Sequence, residues 1–130
     1  MKKIIAVALA AFALNASAYS GNGNERIEQV RNYLKAAESG IGNSEWYWFL
    51  GVVSGLSDAF ADPTHPGAIC YPETSNSAQL ADIAAKYIVD HPEKRADSLG
   101  LLVLRAHLKA FGLQMVESCG EHDEWLQYNS

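Results

Sequence analysis

The chain has 130 residues, with 10 Lys and Arg against 15 Asp and Glu, a net charge of −5. That length suits one domain with a real core and no cofactor, and the acidic balance disfavours nucleic acid and anionic membrane surfaces while suiting a basic protein partner. Two cysteines among 130 residues exclude a disulfide-dense miniprotein.

Lys2 and Lys3 form a positive n-region, Ile4 to Leu14 an apolar h-region, and Ala16-Ser17-Ala18 a small-x-small cleavage site. The apolar run is shorter than the roughly 18 residues that a membrane span needs, and no lipobox cysteine follows it. Residues 1–18 are therefore read as a bacterial signal peptide and residues 19–130 as one exported helical domain in the periplasm, with no membrane association after cleavage. Loss of Lys2 and Lys3 moves the net charge from −5 to −7.

A polar, glycine-rich leader reaches Asn24, the expected N-cap of a first helix with Glu25 and Glu28 in its first turn. Ile27, Val30, Leu34 and Ala37 recur at helical spacing, with Arg26, Arg31, Lys35 and Glu38 on the other faces, and Gly40 ends the helix. Ser44 is expected to cap a second helix from Glu45 to about Phe60. Trp46, Phe49, Leu50, Val53 and Leu56 make one apolar face and Tyr47, Trp48 and Val52 a second, so this helix is expected at the centre. Four consecutive aromatics cannot share one direction, however, and Tyr47 or Trp48 is expected to be partly exposed. Gly51 and Gly55 each cost about 1 kcal/mol of helix propensity, which points to close packing in the core or in a dimer seam.

Asp62 to Ser75 reads as a loop, with Pro63, Pro66, Gly67, Cys70 and Pro72. Asn76 or Ser77 caps a third helix with Leu80, Ile83, Ala84, Tyr87 and Ile88 inward, and it must stop near Asp90-His91 because Pro92 follows. A charged connection from Glu93 to Asp97 leads to a fourth helix, about Ser98 to Phe111, with Leu99, Leu102, Val103, Ala106 and Ala110 facing the core and Gly112 as its stop. No segment alternates like a strand. The expected class is all-α, a small bundle of about four to five helices with one disulfide.

Cys70 and Cys119 are the two cysteines, so only one pairing exists, and it would restrict the unfolded chain by roughly 4 kcal/mol of loop-closure entropy. Two free thiols, or a metal pair completed by His122 and Asp123, are the alternatives. Glu121-His122-Asp123-Glu124 lacks the ligand spacing of zinc sites and reads as a solvated acidic tail. Neither a metal nor any other cofactor is expected. His65, His91, His107 and His122 stand apart from one another; His107 reads as a satisfied or surface residue and His91 as a cap on the third helix. There is no G-x-S-x-G turn, S-x-x-K pair or glycine-rich phosphate loop, and the chain is not expected to be an enzyme.

Gly51-Val52-Val53-Ser54-Gly55 followed by Asp58 resembles the G-x-x-x-G-x-x-D stretch of the Rap/Tai-type immunity proteins of type VI secretion. Ile69-Cys70-Tyr71-Pro72 is similar to their Cys-x-Pro, and Lys86-Tyr87-Ile88-Val89-Asp90-His91-Pro92-Glu93 to their K-Y-L-x-x-H-P-E block. Gln79-Leu80, Leu102-Val103-Leu104, Ala106 and Ala110-Phe111 continue the likeness. Gly51, Gly55, Asp58, Pro72, Tyr87 and Pro92 are then structural members of the family's motifs. The family closes with Phe-Pro-Cys, where this chain has Phe111-Gly112-Leu113 and reaches its cysteine only at Cys119.

The resemblance implies a small helical periplasmic protein, often a homodimer, that binds a peptidoglycan amidase toxin and blocks its groove. A protruding loop would make that contact: His91 to Asp97 first, with Glu93, Lys94, Arg95 and Asp97 too polar for a core, and Pro63 to Pro72 second. The alternative is a periplasmic acid-stress chaperone, or an orphan binding protein of the same fold.

Overall fold

Each helix starts at a side chain that accepts a hydrogen bond from the backbone N–H three residues on. Asn22 takes that of Glu25 at 3.0 Å, Asn43 that of Trp46 at 2.8 Å, Asn76 that of Gln79 at 2.9 Å and Ser98 that of Leu101 at 3.2 Å. These bonds satisfy amides that a helix N-terminus otherwise leaves unpaired. The computed structural model describes residues 21–61 and 69–112. They form α1 (Gly23–Ser39), α2 (Ser44–Phe60), α3 (Ser77–Asp90), a single 3-10 turn (Pro92–Lys94) and α4 (Leu99–Phe111). The described residues hold four helices and no strand, and the all-α class stands; an isolated bridge joins Asn22 to Ser98.

Two caps differ from expectation. α1 is capped by Asn22 rather than Asn24, in a capping box whose return bond the Asn22 N–H donates to the Glu25 carboxylate. α2 is capped by Asn43 rather than Ser44, which becomes its first residue. Gly40 ends α1 with φ 70°, the left-handed conformation that glycine adopts without penalty.

The helix at the centre is α3, not α2, because α3 packs against α1, α2 and α4. Its buried face is made of small residues, Ala81, Ala84 and Ala85, bracketed by Leu80 and Ile88, so three helices can come close to it. α4 lies on it with Leu99, Leu102, Val103, Leu104 and Ala106 buried. α1 contributes Val30, Tyr33 and Ala36, while Ala37, expected inward, is exposed, and so is Ala110 at the end of α4.

α2 buries Phe49, Val53, Leu56 and Phe60 but leaves a face to solvent. Tyr47 is 65% exposed, as the aromatic run predicted, and Gly51, Gly55 and Asp58 are exposed on the same helix. A Cβ built on either glycine meets no described atom within 4 Å. Close packing against another helix of the core is therefore not what these glycines serve.

Ile69 re-enters the core, fully buried, with its N–H donating to the Phe60 carbonyl at 2.8 Å. Cys70 follows it, half-buried, and the described residues contain no free cysteine. Residues 1–20, the loop residues Pro63, His65, Pro66 and Gly67, and the tail with Cys119, His122, Asp123 and Trp125 lie outside the described residues.

Candidate partner-binding site

Pro92 cannot follow a helical residue comfortably, and α3 ends where that rule puts it, at Asp90. His91 leaves the helix (φ −121°, ψ 66°), and its N–H donates to the Tyr87 carbonyl at 3.1 Å. The His91 ring bonds the same carbonyl at 2.8 Å through Nδ1, which must carry the proton because a carbonyl only accepts. Tyr87 stacks on that ring with centroids 4.0 Å apart. His91 is thus a cap, the role its place in the sequence suggested.

Arg95 completes the cap. Its Nε donates to the Ile88 carbonyl at 2.9 Å and its second nitrogen to the Val89 carbonyl at 2.6 Å. Its guanidinium fork therefore closes the open end of α3, where cationic charge is also favoured by the helix dipole. Asp97 forms an ion pair with Arg105 of α4.

A strap from the other end of the chain holds this turn in place. Gly23 N–H donates to the Asp97 carbonyl at 3.1 Å, Asn24 N–H to Arg95 at 2.9 Å, and Leu99 N–H to Gly21 at 2.9 Å. Gly23 has no room for a side chain: a Cβ would stand 2.7 Å from Leu102 Cδ1 and 2.9 Å from the Arg95 Cα. That approach explains why the cap falls at Asn22, since the helix must begin with Gly23 against the turn.

The five residues expected to bind a partner therefore divide. His91, Arg95 and Asp97 are partly buried and engaged in holding the turn, whereas Glu93 and Lys94 are exposed between Pro92 and Ala96, themselves exposed. The result is a preformed polar turn offering one acidic and one basic side chain on a fixed backbone. A partner docking on such a surface would not first have to order a loop.

The second expected surface is represented by residues 69–72 alone. Pro72 is exposed, but Tyr71 turns inward. Its hydroxyl lies 2.8 Å from Nδ1 of His107, and its ring meets both His107 and Phe111 edge-on, at 5.3 and 5.4 Å. His107 is completely buried, and its Nε2 bonds the Leu80 carbonyl at 2.9 Å. Burial, chiefly, holds its pKa below the ordinary histidine value, with the bond to Leu80 acting the other way. Burial, chiefly, holds the Tyr71 phenol protonated, against a side-chain hydrogen bond with Ser57 and with a smaller contribution from the negative charge of Asp58.

Neither the Tyr71–His107 pair nor the capping function of Arg95 was expected from the sequence. His107 follows Val103 by four residues and Leu99 by eight, so the helical period already put it on the buried face. Arg95 gave no such signal, because its targets are backbone carbonyls.

A family model of the Rap1a immunity proteins matches residues 22–112. No curated protein and no solved structure matches. The matched span runs from the cap of α1 to the glycine that ends α4, and so contains all four helices and the strapped turn between the last two. The chain belongs to the Rap1a immunity protein family.

Proposed function

We propose that this chain is a periplasmic immunity protein that binds a peptidoglycan amidase toxin delivered by type VI secretion and blocks its groove. The observation that carries the reading is the family match over residues 22–112. The similarity of the Lys86–Glu93 block, the acidic net charge and the fixed turn at residues 91–97 support it.

Glu93 and Lys94 make the contact, with His91, Arg95 and Asp97 holding them in position. The signal peptide of residues 1–18 delivers the domain of residues 19–130 to the periplasm, and Cys70 pairs there with Cys119. Two copies associate through the α2 face that carries Tyr47, Gly51 and Gly55, whose glycines would let a second backbone approach.

Co-expression in the periplasm with cell-wall amidases, beginning with any encoded beside this gene, tests the reading. Protection from lysis with direct binding is expected. Glu93→Lys and Lys94→Glu should each weaken binding by about tenfold or more while leaving the helical spectrum unchanged. Asp97 is a poor choice for this test, because reversing its charge would break the ion pair with Arg105. Lysis by every amidase despite the folded protein would overturn the proposal.

A further inference from the structure

Asn22-Gly23 is the one Asn-Gly pair in the 130-residue sequence. Asparagine is chemically labile, and most so before glycine, whose missing β-carbon lets its nitrogen approach the asparagine side chain. In that reaction the Gly23 nitrogen attacks Asn22 Cγ, the new N–Cγ bond closes a succinimide ring, and the Cγ–Nδ2 bond breaks. The Gly23 amide proton passes through water to the departing ammonia. Water then opens the ring at either carbonyl and leaves aspartate or isoaspartate; nothing is oxidised or reduced.

Each group that must react is held. The Gly23 N–H donates to the Asp97 carbonyl at 3.1 Å. Asn22 Oδ1 accepts from the Glu25 N–H at 3.0 Å, and Nδ2, the leaving group, donates to Glu25 Oε1 at 3.1 Å. Ring closure needs the Gly23 nitrogen eclipsed with the Asn22 Cβ, and at ψ 171° it stands away from it. The backbone has little room to turn. Gly23 is buried with the Arg95 Cα 2.9 Å from where a Cβ would be, and the Gly21 carbonyl is held by the Leu99 N–H at 2.9 Å. Asn43 and Asn76 also cap helices, but serine follows each, and its β-carbon hinders the same attack.

We propose that Asn22 is a deamidation site gated by the strap, shut while residues 21–24 are bonded to residues 95–99 and reactive when they release. Isoaspartate puts an extra carbon into the backbone between Gly21 and Gly23. The bonds of Gly21 to Leu99 and of Gly23 to Asp97 then lose their register, so a transient opening becomes a permanent one. The turn that carries Glu93 and Lys94 loses its brace with it. Aspartate keeps a capping oxygen but loses the donor to Glu25. The gate does not depend on the immunity reading.

The folded protein in warm, mildly alkaline buffer is compared with the same chain in guanidinium chloride, and Asn22 is followed by peptide mass mapping. Deamidation there should be at least about tenfold slower in the folded protein, because the strap must open first. Arg95→Ala loosens the turn and should speed the folded-state reaction about threefold or more. Tyr33→Phe lowers global stability away from the strap and should leave the rate unchanged. In the isolated isoaspartyl form the Leu99 amide should exchange at least about tenfold faster, with Val53 in α2 still protected.

Equal rates in the folded and unfolded chains would overturn the gate. So would an unchanged rate in folded Arg95→Ala, or equal acceleration by Arg95→Ala and Tyr33→Phe, which would mean reaction through global unfolding. Retained Leu99 protection in the isoaspartyl form would overturn the permanent opening. The comparison of folded and unfolded chains decides the gate even if neither variant folds.

Discussion

The Tyr33 hydroxyl donates a 2.6 Å hydrogen bond to Asp82, and this bond ties α1 to α3 at the edge of the core. The ring of Tyr33 is wholly buried, tilted against Phe49 with centroids 4.9 Å apart. Burial, then the bond to Asp82 and its charge, raise the phenol pKa well above the ordinary tyrosine range, so the donor is present at every physiological pH. Tyr33→Phe keeps the ring and removes the bond. Because Asp82 is half-buried and can recover some solvation, the cost should be about 1–2 kcal/mol. Chemical denaturation would show it as a lower midpoint at unchanged slope, and an unchanged midpoint would refute it.

The glycines give predictions of opposite sign. At Gly23 an added Cβ meets backbone at 2.9 Å, so Gly23→Ala should destabilise the fold by about 1–3 kcal/mol and disturb the turn at residues 91–97. At Gly51 and Gly55 the space is open, and Ala should stabilise α2 by about 1 kcal/mol at each position. Thermal melts of the three single variants at a concentration where the protein is monomeric would separate these outcomes.

Arg95→Ala should cost about 1.5–3 kcal/mol, since two carbonyls at the end of α3 lose a charged donor together. Arg95→Lys should recover less than half of that, because one ammonium cannot reproduce the planar fork. Equal stability of the Lys variant and the parent protein would show that charge alone matters at this helix end.

Stability should also depend on pH through His107. Its folded-state pKa lies below the value of 6.5 that it has in the unfolded chain, so the unfolded state binds the proton first as pH falls. The contribution is complete above 6.5 and is lost below it, at about 1.4 kcal/mol per pH unit, until the folded pKa is reached. Denaturation midpoints at pH 7.5, 6.5 and 5.5 would check the sign, and His107→Gln should remove that slope.

The helices were legible because their signals are local. Asn and Ser before apolar runs, Gly40 and Gly112 after them, and Pro92 after His91 all act within one turn of chain. The choice between Asn22 and Asn24 was not, since Gly23 sits where it does because Arg95 and Leu102 are against it. The centre of the bundle was misjudged for a related reason. Aromatic bulk in α2 suggests burial, but helices converge on the element with the smallest side chains, and Ala81, Ala84 and Ala85 make that element α3. At the candidate site, the polarity of residues 91–97 marked a surface turn. It could not divide the exposed Glu93 and Lys94 from Arg95, whose charge is used on its own backbone.

Asn22 and Ser98 are bridged although they stand 76 positions apart in the chain (98 − 22). Closing so long a loop carries an entropic cost that local contacts do not, so this strap is expected to form late in folding. In a chain that emerges from its N-terminus, residues 21–24 wait until all of α1 to α3 has been made before residues 95–99 arrive. The turn that offers Glu93 and Lys94 therefore acquires its shape only in the finished molecule. Partial chains and proteolytic fragments lacking either end of the strap would present the same residues on a loose backbone, so the contact proposed for this turn would be a readout of complete folding.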